Sequence, residues 1–383
     1  MEVVKDIINI GASDKNLKIF ERQYVLKNGM SYNSYVIKDD KTTILDTIDE
    51  CVTEKWLDNL EKTLGDKEPE YLIVSHMEPD HAYNIGTLIE KYPNMKIVGN
   101  TFTFNILSNF FDVDISDKKV IVKEGDILDL GKHKLQFFMA PMVHWPEVMV
   151  TYEQTEKILF TADGFGKFGA LDVEEKWDDE ARRYYFGIVG KYGMQVQALL
   201  AKASKLDIKM ICPLHGPILK ENLEYYINKY NVWSSYEPEE DGVFIACSSI
   251  YGNTLEVAKK LETILKESGT KNVVLSDLTK DDWAEAVANA FKFSKLVVAS
   301  SSYNAGLFPP MEQFLRRLKE RNYQKREVAI IENGSWAPSA GKCMKDLLQG
   351  MKDIEIVEPV VTIKSRMKTE NLVELEELAR KLK

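Results

Sequence analysis

Cysteine is scarce in this chain. Four residues, Cys51, Cys212, Cys247 and Cys343, are scattered over 383 positions, and no two form a C-x-x-C pair. That spacing argues against a disulfide framework, a zinc ribbon and a cysteine-held iron–sulfur cluster. Scattered thiols suit a reducing cytoplasm. No apolar run reaches the roughly 18 residues a membrane span needs, so none is expected. The opening MEVVKDIINIGASDK has charges inside its apolar stretch and lacks the apolar region of a secretory signal. Positive charge is in deficit. The formal net charge of -10 argues against nucleic acid or an anionic membrane as the main partner. There is no G-x-x-x-x-G-K-[ST] loop, internal repeat or low-complexity segment.

The remainder is ordinary for a globular protein, with 44% apolar and 29% charged residues. The length favours two domains. The first part is a series of short strands, among them SYNSYVIKDD (31–40), KTTILDT (41–47), EYLIVSH (70–76) and KILFTAD (157–163). Helical spacing intervenes at 53–64 and 82–92. Near-consecutive strands with helices outside predict an αββα sandwich. From GVFIACSS (242–249) onward, five strands alternate strictly with helices, the pattern of a doubly wound parallel sheet of flavodoxin-like size. The polar SSYEPEEDG (234–242) separates the two rhythms. The expected domains are therefore 1–238 and 239–383.

Histidine is nearly as rare as cysteine, with five residues, yet four of them sit just past apolar strands. His76 and His81 bracket His-Met-Glu-Pro-Asp-His after YLIVS. His144 follows LQFFMAPMV, and His215 follows MICPL. Glu78, Asp80 and Asp163 occupy the same kind of position. One such residue alone reads as a satisfied polar group at a strand end. Seven of them near an apolar core call for a cation. Imidazole suits zinc, iron, copper or nickel, whereas carboxylates favour harder ions. Asp163 stands apart and is free to bridge, as a carboxylate does in dinuclear sites. Mixed ligation with a redox function points to two irons, with zinc as the alternative. His133, in the polar GKHK, reads as a surface residue.

Three loops at strand ends in the second part form another constellation. The first is Ser248-Ser249-Ile250-Tyr251-Gly252-Asn253-Thr254, leading into a helix. Hydroxyls and backbone amides at a helix N-terminus, without Lys or Arg, suit a phosphate monoester. Thr254 as a simple helix cap would explain one residue of the run, not all of it. The second loop includes Ser302, Tyr303, Asn304, Gly306 and Leu307, and the third Gly334, Ser335 and Trp336. Loops at the carboxyl ends of neighbouring parallel strands form the ligand crevice of such sheets. Tyr303 and Trp336 are placed to flank an isoalloxazine, so FMN is expected. Gly164-Phe165-Gly166-Lys167-Phe168-Gly169 matches G-x-G-x-x-G, but the helix-like EEKWDDEARRYY that follows leads into no nearby strand, which argues against a dinucleotide unit.

Taken together, these motifs resemble the flavodiiron proteins, in which a metallo-β-lactamase-like di-iron domain precedes a flavodoxin-like domain. Related hydrolases carry H-x-H-x-D-H, whereas this chain has H-x-E-x-D-H with Glu78 at the second position, and later H-W-P and L-H-G-P. SYNSYVIKDDKTTILDT, S-x-Y-G-N-T, SSSYNAGLFPPM and NGSWAPSAGK are also similar to family segments. The resemblance implies His76, Glu78, His144 and Asp163 on one iron and Asp80, His81, Asp163 and His215 on the other. In parts of the family the histidine matching His81 is turned away. Val148 and Ser301 depart from the family's usual small hydroxyl residue and proline. Tyr24 and Trp145 are expected at the pocket.

The resemblance further implies that FMN and two iron ions per chain reduce dioxygen to water and/or nitric oxide to nitrous oxide. No side chain beyond the metal ligands is required as a catalytic group. One helix after the fifth strand leaves no fused electron-transfer module, so an external donor is expected, rubredoxin or else a reduced deazaflavin. A head-to-tail homodimer, or a dimer of such dimers, is the family arrangement. The rival readings are a metallo-hydrolase fused to an electron carrier, against which Glu78 speaks, and a non-catalytic redox carrier or sensor with an inert metal site.

Overall fold

The structure, a computed structural model, describes residues 1–383. It divides into two compact units, Met1–Tyr185 with Met194–Asn231, and Phe186–Gly193 with Val232–Lys383.

The first unit is built on two sheets. One has the order Glu2–Val4, Ile7–Asn9, Tyr35–Ile37, Thr43–Leu45, Tyr71–Ile73, Lys96–Gly99 and Lys119–Ile121. Its last four strands run parallel. The other has the order Ile127–Asp129, Lys134–Met139, Met149–Glu153, Ile158–Phe160 and Met210–Cys212, antiparallel except for the final pair. Side chains of both sheets share one core, in which Tyr35, Ile73 and Val98 of the first join Phe137, Met149 and Phe160 of the second. Helix Thr53–Leu64 presents Trp56, Leu60 and Leu64, four residues apart on one face, to the interior. This is the αββα sandwich expected.

The second unit holds the parallel order Val273–Asp277, Glu240–Ser248, Phe293–Tyr303, Arg326–Asn333, Ile354–Ile363. In chain order that is 2-1-3-4-5, the flavodoxin-like arrangement. A short hairpin strand, Gly306–Leu307, pairs back on the end of Phe293–Tyr303.

The sequence boundary at 238/239 differs from the division seen, which falls at 231/232. Residues 186–193 also join the second unit. The Phe186 ring stacks on Phe291 at 3.9 Å. Arg321 Nε donates to Phe186 O at 2.7 Å, and Tyr236 OH donates to Gly190 O at 2.9 Å. Long-range packing of this kind leaves no local mark in the sequence.

His133 corrects an expectation. Its position in GKHK reads as surface, yet it is fully buried, with Nδ1 3.0 Å from Glu153 Oε1. The hairpin pairing Lys134 with Asp129 and Leu135 with Glu153 turns the preceding side chain inward.

Candidate metal centre and flavin site

The ligand-bearing loops all leave strands of the first unit. Residues 76–81 follow Tyr71–Ile73, His144 follows Lys134–Met139, Asp163 follows Ile158–Phe160, and His215 follows Met210–Cys212. They meet as two groups, His76/Glu78/His144/Asp163 and Asp80/His81/His215, within each of which the ligand atoms lie within 4.8 Å of one another. Asp163 faces both. Its Oδ2 is 3.1 Å from His144 Nε2 and 3.7 Å from His76 Nε2. Its Oδ1 is 3.0 Å from His81 Nε2 and 3.7 Å from His215 Nε2. Glu78 Oε2 adds contacts of 3.1 Å to His76 and 3.0 Å to His144.

The loops are held from behind, and here the structure adds residues that sequence reasoning missed. His215 Nδ1 donates to Ser31 O at 2.7 Å. A carbonyl only accepts, so Nε2 keeps its lone pair and turns it toward Asp80 Oδ2, 3.2 Å away. His76 Nδ1 is likewise 2.9 Å from Glu147 Oε1, which also accepts Met77 N–H. Both imidazoles are thereby pre-set as Nε2 ligands, the usual work of such outer hydrogen bonds. Ser31 Oγ accepts Gly216 N–H, and Asn33 Nδ2 donates to Pro213 O and Gly216 O. The SYNSY segment therefore clamps the L-H-G-P loop. Asp46 Oδ1 accepts Ser75 N–H at 2.7 Å, just before His76. Glu147 was detectable in sequence as the acidic residue of H-W-P-E. The clamp carries no chemical signature of its own.

The electrostatics fit cations. Asp80 is 7% exposed, and neither carboxyl oxygen has a hydrogen-bond partner, nor does His215 Nε2. Burial pushes Asp80 up to about 7 and holds His215 below its ordinary value. Orphaned buried groups of this kind are expensive unless an ion satisfies them. Burial also opposes ionisation of Asp163, yet the His81 and His144 imidazoles hold its carboxyl well below the usual range. Against the same penalty, His144 and His76 lower Glu78 to about 2. Four imidazoles around three carboxylates thus offer a donor set suited to two ions. All seven expected ligands, His81 included, converge.

Trp145 lies at the site, its ring centroid 5.1 Å from that of His76. Tyr24 lies behind Phe168, which in turn packs on Phe20 and Tyr184. It packs on Phe168 at 5.4 Å, while Phe20 and Tyr184 lie against His215 at 5.7 and 5.5 Å. The glycine-rich 164–169 segment serves this wall. A Cβ on Gly166 would stand 3.0 Å from Asp163 O and 3.4 Å from His215 Cβ, so a larger residue would crowd the centre.

In the second unit, the expected loops follow three neighbouring strands. Helix Asn253–Glu267 starts from Gly252 at φ 91, with no side-chain capping bond, and a Cβ at Gly252 would meet nothing within 4 Å. An uncapped helix start beside open space suits an anion such as the FMN phosphate. Thr254 does not cap, since its Oγ1 is 2.9 Å from Ser301 Oγ. Gly252 N–H donates to Ser249 Oγ. Asn304 and Ala305, both at positive φ, form the two-residue turn between Tyr303 and Gly306. Leu307 is buried. Ser302 Oγ accepts the N–H groups of Ser339 and Ala340, Gly334 N–H donates to Ile363 O, and Ser335 Oγ pairs with Ser365 Oγ. These residues shape the loops. The aromatic surface left open is Tyr251, 91% exposed, and Trp336, 92% exposed, with Tyr303 partly so and the aliphatic Ile250 beside Tyr251 in the chain.

Comparison with known proteins finds relatives along the whole chain. The model of the "ODP family beta lactamase" matches residues 30–216. A nitric oxide reductase of Moorella thermoacetica is 28% identical, over 97% of this chain and 95% of its own. A variant of the flavo di-iron protein of Thermotoga maritima superposes with a TM-score of 0.89 at 25% identity, over 100% of this chain and 98% of that one. The rubredoxin oxygen:oxidoreductase of Desulfovibrio gigas superposes with a TM-score of 0.92 at 24% identity, covering 100% and 97%. The chain is thus similar along nearly its whole length to a named nitric oxide reductase and to a flavo di-iron protein. Glu147 is expected to work through His76. Glu147→Gln should lower affinity at the His76 group by roughly 10- to 100-fold in chelator competition. Unchanged affinity would deny Glu147 that role.

Proposed function

We propose that the chain is a flavodiiron oxidoreductase that reduces dioxygen to water and/or nitric oxide to nitrous oxide with electrons from an external donor. The observation that carries this reading is the pair of Asp163 oxygens, one turned to each ligand group. His76, Glu78 and His144 would share one iron with Asp163, and Asp80, His81 and His215 the other. The loops around Gly252, Tyr303 and Trp336 would hold FMN. When bound, the di-iron pair would supply the redox chemistry for the diatomic substrate, and FMN would supply electrons.

The residues of the chain do the rest. Ser31 and Glu147 keep the His215 and His76 lone pairs aimed inward. Trp145, Phe20 and Tyr184 wall the centre with apolar surface. The ionised Asp163 and Glu78 supply negative charge that favours oxidised over reduced iron. No helix is long and apolar enough to cross a membrane, and a cytoplasmic setting accords with the four free cysteines. Rubredoxin is the favoured donor, since the Desulfovibrio gigas relative is named for it. A reduced deazaflavin is the second choice.

Asp163→Ala should abolish turnover with either gas while FMN stays bound. Near-normal turnover in a folded variant would contradict the bridging role.

Electron transfer favours short distances, and a head-to-tail homodimer would set the FMN of one copy beside the irons of the other. A two-fold interface makes two such junctions. Co-expressing His144→Ala, which damages the iron site, with Thr254→Asp, which repels the FMN phosphate, should give a heterodimer with one intact junction and about half the normal turnover. An inactive heterodimer whose parents are both folded and dimeric would place transfer within one chain.

A further inference from the structure

Beneath the loop at 248–254, side-chain hydroxyls link two strand ends. Glu240–Ser248 and Phe293–Tyr303 are parallel neighbours, with Ser248 opposite Ser300. Ser248 Oγ and Ser300 Oγ are 2.8 Å apart, and both residues are fully buried. One residue further on, Ser301 Oγ reaches across to Thr254 Oγ1 at 2.9 Å. Thr254 lies in the first turn of helix Asn253–Glu267 and is 1% exposed. The Ser301 backbone is fixed as well, because its carbonyl accepts Phe308 N–H at 3.2 Å and it pairs in register with Asn333. Its side chain therefore approaches Thr254 from a rigid support.

A hydroxyl has one proton and two lone pairs. Where Ser301 donates to Thr254, the Thr254 proton is released for another acceptor. Where Thr254 donates to Ser301, Thr254 presents only lone pairs and repels an anion. A phosphate at the helix start selects the first arrangement, and a chain of donors pointing one way strengthens each bond in it. Proline at 301 would remove this donor.

Building on the flavin reading above, we infer that Ser301 is a positioning residue for phosphate binding. Its hydroxyl orients Thr254 as a donor to the phosphate monoester and thereby favours FMN over riboflavin. The contribution is one charge-assisted hydrogen bond, acting through Thr254.

The test uses the full chain stripped of flavin and titrated separately with FMN and riboflavin, binding being followed by flavin fluorescence. Ser301→Ala should raise the Kd for FMN roughly tenfold and leave that for riboflavin unchanged. Ser301→Thr, which keeps the hydroxyl, should restore FMN binding. Thr254→Val should show the same phosphate-specific loss, and adding Ser301→Ala to it should cost nothing further. Should Ser301→Ala not fold, Ser301→Cys, a poor donor of similar size, reads the same split. Equal weakening of both flavins, an unchanged Kd for FMN, or losses that add in full would overturn the inference alone. A wild-type chain that binds neither flavin would overturn the flavin reading and the inference with it.

Discussion

The first unit depends on one constraint, the convergence of buried anionic and imidazole groups on a shared carboxylate. Asp163 is almost fully buried, and so are His76, His81, Asp80 and His215 around it. Such a cluster is costly to desolvate without compensating charge. Its cost explains the amount of backbone committed to holding it. Ser31, Asn33, Asp46 and Glu147 each spend a hydrogen bond on a ligand loop rather than on regular structure. The sandwich supplies the rigid edge from which those loops project. Two cations would meet the need that remains, because the Asp80 carboxyl oxygens and His215 Nε2 have no hydrogen-bond partner in the protein.

The two units solve opposite problems. The metal unit must keep ligands rigid and dry, so its loops are clamped and walled with rings. The flavin unit must admit a phosphate and a flat ring system at its edge. It leaves the helix start at Gly252 uncapped and two aromatic side chains, Tyr251 and Trp336, standing in solvent. Such exposure is a poor choice for a bare surface and a reasonable one for a surface that is covered in use.

Much of this was legible in the sequence where chemistry is local. The alternation of strands and helices after residue 240 and the placement of ligands past apolar strands both follow from periodicity and from the scarcity of histidine. What was hidden depends on contacts distant in the chain. His133 looks exposed beside two lysines, yet hairpin register buries it on Glu153. Residues 186–193 pack with the second unit through Phe186 and Phe291, which are far apart in sequence. The clamps at Ser31 and Glu147 use residue types with many other duties, so only the folded chain reveals their task. For Thr254, the hydroxyl run was visible, but its partner on the next strand was not.

We propose that Asp163 joins two irons in one pocket. The most direct measurement is iron and flavin content of chain produced with ample iron, combined with electron paramagnetic resonance of the oxidised and partly reduced protein. Two irons and one FMN per chain, with the irons magnetically coupled through a shared ligand, is the result this account predicts. A single zinc per chain, or irons that behave as isolated ions, would contradict it.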